Sequence, residues 1–282
     1  MARIDDLRRM PVEELRKRYA DGAEELPRGG LSALREDPRS GARGVAERIL
    51  KRIHASQAEG RRLSRLCAFE QPLWDQGLTL VAGVDEVGMA PLAGPVIAAA
   101  VILRPGARIQ GVNDSKQLTP EERDALEPAI RAACVAVGIG RAEVAEIDTL
   151  NIYYAGLLAL RRAVLALEPR PEHLLVDARR LRDLDIPQQP IVKGDAKSIT
   201  IGAASIVAKV FRDRLMCDLD REHPGYGFSS HKGYPTPDHL EALGKLGACA
   251  IHRRSFAPVA KALGLIPEQQ ELFGKPPGPR LG

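Results

Sequence analysis

Two apolar runs rich in β-formers, residues 79–87 and 95–103, follow each other with only residues 88–94 between them. That pattern predicts adjacent strands joined by a turn. Further short apolar runs at 134–139, 173–177 and 190–193 read as strands, with helical patterns at 150–167, 197–219 and 237–246. Strands that first pair directly and then alternate with helices predict an α/β domain, a mixed sheet flanked by helices.

Residues 1–77 have a different character and predict a helical N-terminal extension. Pro11, followed by Glu13 and Glu14, suits a first helical turn, and Gly29, Gly30, Pro38 and Gly41 are expected to break the pattern. Val45, Ile49, Ile53, Leu63 and Leu66 then recur among arginines, as in an amphipathic helix with a gap near Gly60. Residues 1–70 hold 16 Lys and Arg against 12 Asp and Glu, which accounts for the whole net charge of +4. Such an excess suits a polyanion but equally suits a solvated helix face. The α/β body is expected over 78–266, with a flexible tail over 267–282.

No apolar run is long enough to span a bilayer, and the N-terminus lacks the apolar centre of a secretory signal, so a cytoplasmic protein with no membrane partner is expected. Cys67, Cys134, Cys217 and Cys249 are scattered without C-x-x-C spacing, so they read as reduced and mostly buried.

Carboxylates stand where a core strand should hold none. Asp85 and Glu86 interrupt the run from Leu80, Asp177 ends Leu174-Leu175-Val176, and Asp195 follows Ile191-Val192-Lys193-Gly194. Any one of them alone reads as a turn-former or helix cap. Together they admit a second reading, a shared site for Mg²⁺ or Mn²⁺, which prefer oxygen ligands. Asp85 and Glu86 pose a geometric problem for that reading, because strand neighbours face opposite sides unless the chain bends.

The sequence resembles ribonuclease HII, the bacterial type 2 ribonuclease H. The likeness runs through Gly83-Val84-Asp85-Glu86-Val87-Gly88, Pro91 to Val96, Asn113-Asp114-Ser115-Lys116, and Glu146-Ile147-Asp148 with Asn151-Ile152. It continues through Val176-Asp177, Lys193 to Ser198, Ala203 to Lys209 and Arg212-Asp213. It closes with Tyr226-Gly227-Phe228, His231 to Tyr234 and His252 to Phe256. These blocks are collinear over about 79–264. The resemblance implies an RNase H-like fold and endonucleolysis of RNA in RNA/DNA hybrids and at ribonucleotides in duplex DNA, dependent on Mn²⁺ or Mg²⁺. It implies catalytic and metal-binding roles for Asp85, Glu86, Asp177 and Asp195, products with 5′-phosphate and 3′-hydroxyl ends, and a monomer. Two alternatives stay open: a ribonuclease HIII-like enzyme, and a non-catalytic binder of hybrids.

The resemblance also assigns substrate contacts to Gly88, Met89, Ala90, Lys116, Lys197, Ser198, Ser205, Lys209 and Tyr234. Taken singly, each lysine reads as a surface residue, each serine as a cap or packing group, and Tyr234 as a half-buried packing residue. His231 and His252 read as structural, lacking a ligand partner at suitable spacing. Two departures from the family pattern stand out. Met89-Ala90 replaces Arg-Gly, where the Ala90 Cβ is expected to restrict positive φ, and Ala178 replaces a common glycine, where a small shift of the strand end is expected.

Overall fold

The computed structural model describes residues 4–22 and 24–266, so the tail expected over 267–282 lies outside the described residues. The chain divides into two compact units, one through Arg65 and one from Leu66.

The described elements of the first unit are helical: α1 (Ile4–Arg9), α2 (Val12–Leu15), a π-helical turn (Arg16–Ala20), α3 (Gly30–Arg35) and α4 (Ser40–Leu66). Leu7, Leu15, Tyr19, Leu34, Val45 and Ile49 form its small core. Arg39 ties the unit together by donating to the Met10 and Leu7 carbonyls and to Asp37. The expected break at Gly29 and Gly30 is a turn that opens α3, whereas those expected at Gly41 and Gly60 are absent, because α4 runs on through both. Gly41 is there for space: a Cβ would lie 2.7 Å from Val12.

The second unit holds α5 (Glu70–Asp75), β1 (Val81–Val87), β2 (Val96–Leu103), α6 (Pro120–Ala133), β3 (Cys134–Ala142), α7 (Val144–Leu150) and α8 (Ile152–Leu165). It continues with β4 (His173–Asp177), β5 (Gln188–Ile191), α9 (Ile199–Glu222), α10 (Phe228–His231), α11 (Pro237–Leu246) and α12 (Ala257–Ala262). The packing division falls before α5, earlier than the expected junction at 77, because Glu70 is bonded into the start of α9: its Oε1 accepts from Thr200 N at 3.0 Å and Thr200 Oγ1 at 2.7 Å.

The five strands lie in the order β3-β2-β1-β4-β5. β1 and β2 pair antiparallel, as do β2 and β3, whereas β1–β4 and β4–β5 are parallel. The sheet is therefore mixed and carries helices on both faces. Ala82, Val84, Ala98 and Ala100 turn to one face and pack with Ala155, Ala159 and Ala163 of α8. Gly83 turns to the other, where α9 lies so close that a Cβ would sit 2.1 Å from the Thr200 carbonyl carbon. Small residues on both faces let two helices pack close to the central strands.

Candidate active site

The sheet brings the acidic residues to the C-terminal ends of its two central, parallel strands. The register sets Val84 beside Val176, so Asp85 and Asp177 follow at the same level on the α9 face. Asp195 reaches that edge from the tight turn Gly194–Ala196 just before α9. Asp177 Oδ1 accepts from Gly194 N at 2.7 Å, which locks the strand end to that turn.

Ala178 and Lys193 make this geometry with left-handed backbone, at φ 50° and 57°. At Ala178 alanine adopts a conformation that glycine adopts without strain. Ala90 stays out of the positive-φ region that its Cβ disfavours, and the β1–β2 turn takes positive φ at Gly88, 89°, and Gly94, 82°.

Asp85 is enclosed. Burial pushes its carboxyl well above the usual range, and the neighbouring charges of Glu86, Asp177 and Asp195 push it further, while a hydrogen bond from Ser205 opposes them. Burial also raises Asp177, against the pull of the Gly194 N–H. Acids whose neighbours raise their proton affinity, as Asp85 and Asp177 here, form a concentrated negative field, and such clusters mark functional sites.

Glu86 stands apart. The strand continues regularly past it, with Glu86 opposite Ala98, so its side chain leaves on the α8 face. There its Oε1 pairs with Arg179 Nε at 3.0 Å, and burial raises its carboxyl against that pull. Its Oε2 is buried without a hydrogen-bond partner. Arg179 is itself fixed, with its guanidinium 5.0 Å from the Tyr153 ring centre and Nη1 donating to the Tyr153 carbonyl at 3.4 Å. On the opposite side, Lys116 Nζ donates to Asp195 Oδ2 at 3.0 Å.

These two side-chain cations now neutralise the outer acids. Among the described residues no three acidic, histidine or cysteine groups meet at one point as an ion-binding set. The donor chemistry nevertheless fits hard divalent cations. It is all oxygen, its charges repel one another, and one buried carboxylate oxygen is unsatisfied.

The proposed substrate contacts divide. Lys116 and Tyr234 are exposed, as is Ala90, while Met89 is half-buried against α8. Lys197 is exposed and donates to the Val192 carbonyl at 2.9 Å. Ser198 must be corrected. It is fully buried, it caps α9 by accepting from Ile201 N, and it donates to Glu70, so no ligand can reach it. Ser205 is buried between Asp85 and Ser115, bonded to Ser115 Oγ at 2.8 Å, and orients the acid instead of meeting substrate. Lys209 pairs with Asp213 at 2.6 Å, a carboxylate that Arg123 also reaches.

Two arginines beyond the expected set hold the β1–β2 turn. Arg212 donates to the carbonyls of Pro95, Ala93 and Lys232, and Arg253 to those of Gly88, Met89 and Gly94. Both are fully buried and donate their hydrogen bonds to carbonyls, not to carboxylates, so burial lowers their pKa values to about 10 and about 9. Gly88 owes its identity to this brace: a Cβ there would lie 2.3 Å from Arg212 Nε.

His231 and His252 serve structure. His231 Nε2 bonds the Tyr226 carbonyl at 2.8 Å, and His252 Nε2 bonds His239 Nε2 at 3.1 Å inside the core.

Residues 82–259 match the family model for Ribonuclease HII. The chain is 59% identical over 275 residues to a ribonuclease HII of Anaeromyxobacter sp. (strain Fw109-5), covering 98% of this chain and 87% of the relative. It is 52% identical to a ribonuclease HII of Myxococcus xanthus (strain DK1622), covering 97% and 96%. A solved ribonuclease H2 from Pyrococcus horikoshii OT3 superposes with a TM-score of 0.57 at 27% identity, covering 66% of this chain and 97% of that one.

Proposed function

Because this chain belongs to the ribonuclease HII family, we propose that Asp85, Glu86, Asp177 and Asp195 are its catalytic acids and hold divalent cations, Mn²⁺ or Mg²⁺. The enzyme is an endonuclease that hydrolyses the RNA strand of RNA/DNA hybrids. It leaves 5′-phosphate and 3′-hydroxyl ends, and acts as well at ribonucleotides embedded in duplex DNA, as a cytoplasmic monomer. Membership in the ribonuclease HII family displaces the ribonuclease HIII alternative. No helix among the described residues is long and apolar enough to cross a membrane.

One observation carries the reading: the buried Asp85 shares the ends of β1 and β4 with Asp177 and the turn that holds Asp195, and the charges of Glu86, Asp177 and Asp195 all raise its carboxyl. Bound there, divalent cations lower the pKa of an attacking water and neutralise the phosphate's developing charge. The chain's own residues do the remainder. Ser205 and the Gly194 amide hold Asp85 and Asp177 in place. Lys116, exposed beside Asp195, is free to exchange that carboxylate for a substrate phosphate. The turn held by Arg212 and Arg253 presents Gly88 to Ala90 beside the acids, with Tyr234 as a flank for the sugar.

Labelled RNA/DNA hybrid and a duplex with one ribonucleotide, incubated with Mn²⁺ or Mg²⁺ or with EDTA, test this. Cleavage should require the cation and vanish in Asp85→Asn and Asp177→Asn. Asp85→Asn should also raise the melting temperature of metal-free protein, since it removes a buried charge among like charges. Cleavage surviving both substitutions would refute the assignment, and binding without cleavage in wild type would favour the non-catalytic binder.

A further inference from the structure

Beside the acid cluster lies a groove that the nuclease reading leaves unused. Tyr153 and Tyr154, at the start of α8, line it together with Leu157, Arg179, Arg180 and Arg182. The tyrosines are 53% and 57% exposed, an unusual placement for two adjacent large rings. They are also well fixed. Asn151 Oδ1 accepts from the backbone N–H of both, at 3.0 and 3.3 Å, and the rings meet edge to face with centres 5.3 Å apart.

The groove is cationic. Arg180 and Arg182 are exposed, and neither makes a hydrogen bond or ion pair among the described residues. The acid on this rim, Asp183, is already paired with Arg161 at 2.7 Å. Arg179 joins the groove to the candidate active site, because the same guanidinium lies over Tyr153 and bonds Glu86.

Unpaired arginines beside exposed aromatic rings are the combination that holds single-stranded nucleic acid, the cations following the backbone and the rings taking base faces. A duplex offers phosphates but keeps its base faces covered, so it would leave the tyrosines without a role. We propose that this groove binds an unpaired strand continuing from the cleaved hybrid, with a base stacked on Tyr154 and phosphates on Arg180 and Arg182. The proposal rests on the nuclease reading for its location and adds a preference for hybrids that carry single-stranded tails.

Fluorescence anisotropy in EDTA, which prevents cleavage, tests it on the full chain. The probes are a blunt RNA/DNA hybrid and the same hybrid with an unpaired ribo- or deoxyribonucleotide tail on either strand. One stacked base should make a tailed probe bind about tenfold tighter than the blunt one. Tyr154→Ala combined with Arg182→Ser should abolish that advantage, and Tyr154→Phe should retain it. Equal binding of tailed and blunt probes by wild type overturns the proposal. So does a double variant that keeps the advantage, including one that is weakened by the same factor on both probes. Because no cleavage is scored, the groove can fail while the nuclease stands. Failure to cut any hybrid with Mn²⁺ sinks the nuclease reading instead.

Discussion

His252 shows what burial does to a single side chain in this protein. It is enclosed beside His239, and burial followed by the His239 charge lowers its pKa from 6.5 to about 4. Between those values the unfolded chain takes up a proton that the folded chain refuses. The stability it contributes is therefore complete above about pH 6.5 and is lost as pH falls towards about 4. The acid cluster works the other way: raised carboxyls gain stability as pH falls, so the histidine is best isolated by difference. Urea unfolding at about pH 7.5 and about pH 5 should cost wild type about 2 kcal/mol more than His252→Gln. An identical pH response in the two proteins would contradict this account. At the same scale, the acids were legible because a carboxylate in an apolar strand is anomalous wherever it occurs. Arg179 was not, because an arginine after a strand looks like any exposed arginine until Tyr153 and Glu86 are seen around it. For Ser198 and Ser205 the sequence left two readings open, a cap or packing group and a substrate contact, since a hydroxyl carries no sign of whether it faces solvent or a carboxylate.

The strand ends are where the elements are strained for the site. Ala178 at φ 50° follows Asp177, and Lys193 at φ 57° precedes the turn that carries Asp195. An L-residue in that region costs roughly 1–2 kcal/mol, which glycine avoids at some expense in unfolded-state entropy. Ala178→Gly should therefore raise the urea-unfolding free energy by about 1 kcal/mol with the β4–β5 pairing intact. A loss of stability would mean that the alanine side chain is needed where it stands. Strands were legible at this scale because their apolar runs are short and bounded, and His173–Asp177 has the expected limits. The helices α6 and α7 were overlooked, although Thr119-Pro120-Glu121-Glu122 spells out a capping box that the structure forms in full. Gly41 misled for the opposite reason: glycine breaks helices by propensity, but here it admits Val12.

At the scale of the whole molecule the charge is divided. Residues 1–70 carry the entire positive excess, and the rest is balanced around a buried acidic centre. An enzyme whose active site is acidic must draw a polyanion by cations placed elsewhere, and long-range attraction depends on where the excess lies. On the proposed reading, Lys116 and the groove arginines would supply part of it. The basic excess of the first unit supplies the remainder, if it acts on nucleic acid and not merely on solvent. Each phosphate neutralised by the protein adds close to one unit to the slope of log affinity against log salt. Removal of the first unit should therefore weaken hybrid binding and reduce that slope by about 1 or more, with cleavage of saturating hybrid retained. The rate at saturation matters because the acids all belong to the second unit, where Gly194 N donates to Asp177 Oδ1. An unchanged slope after truncation would assign the N-terminal arginines to their own internal contacts, of which Arg39 with Met10, Leu7 and Asp37 is the pattern.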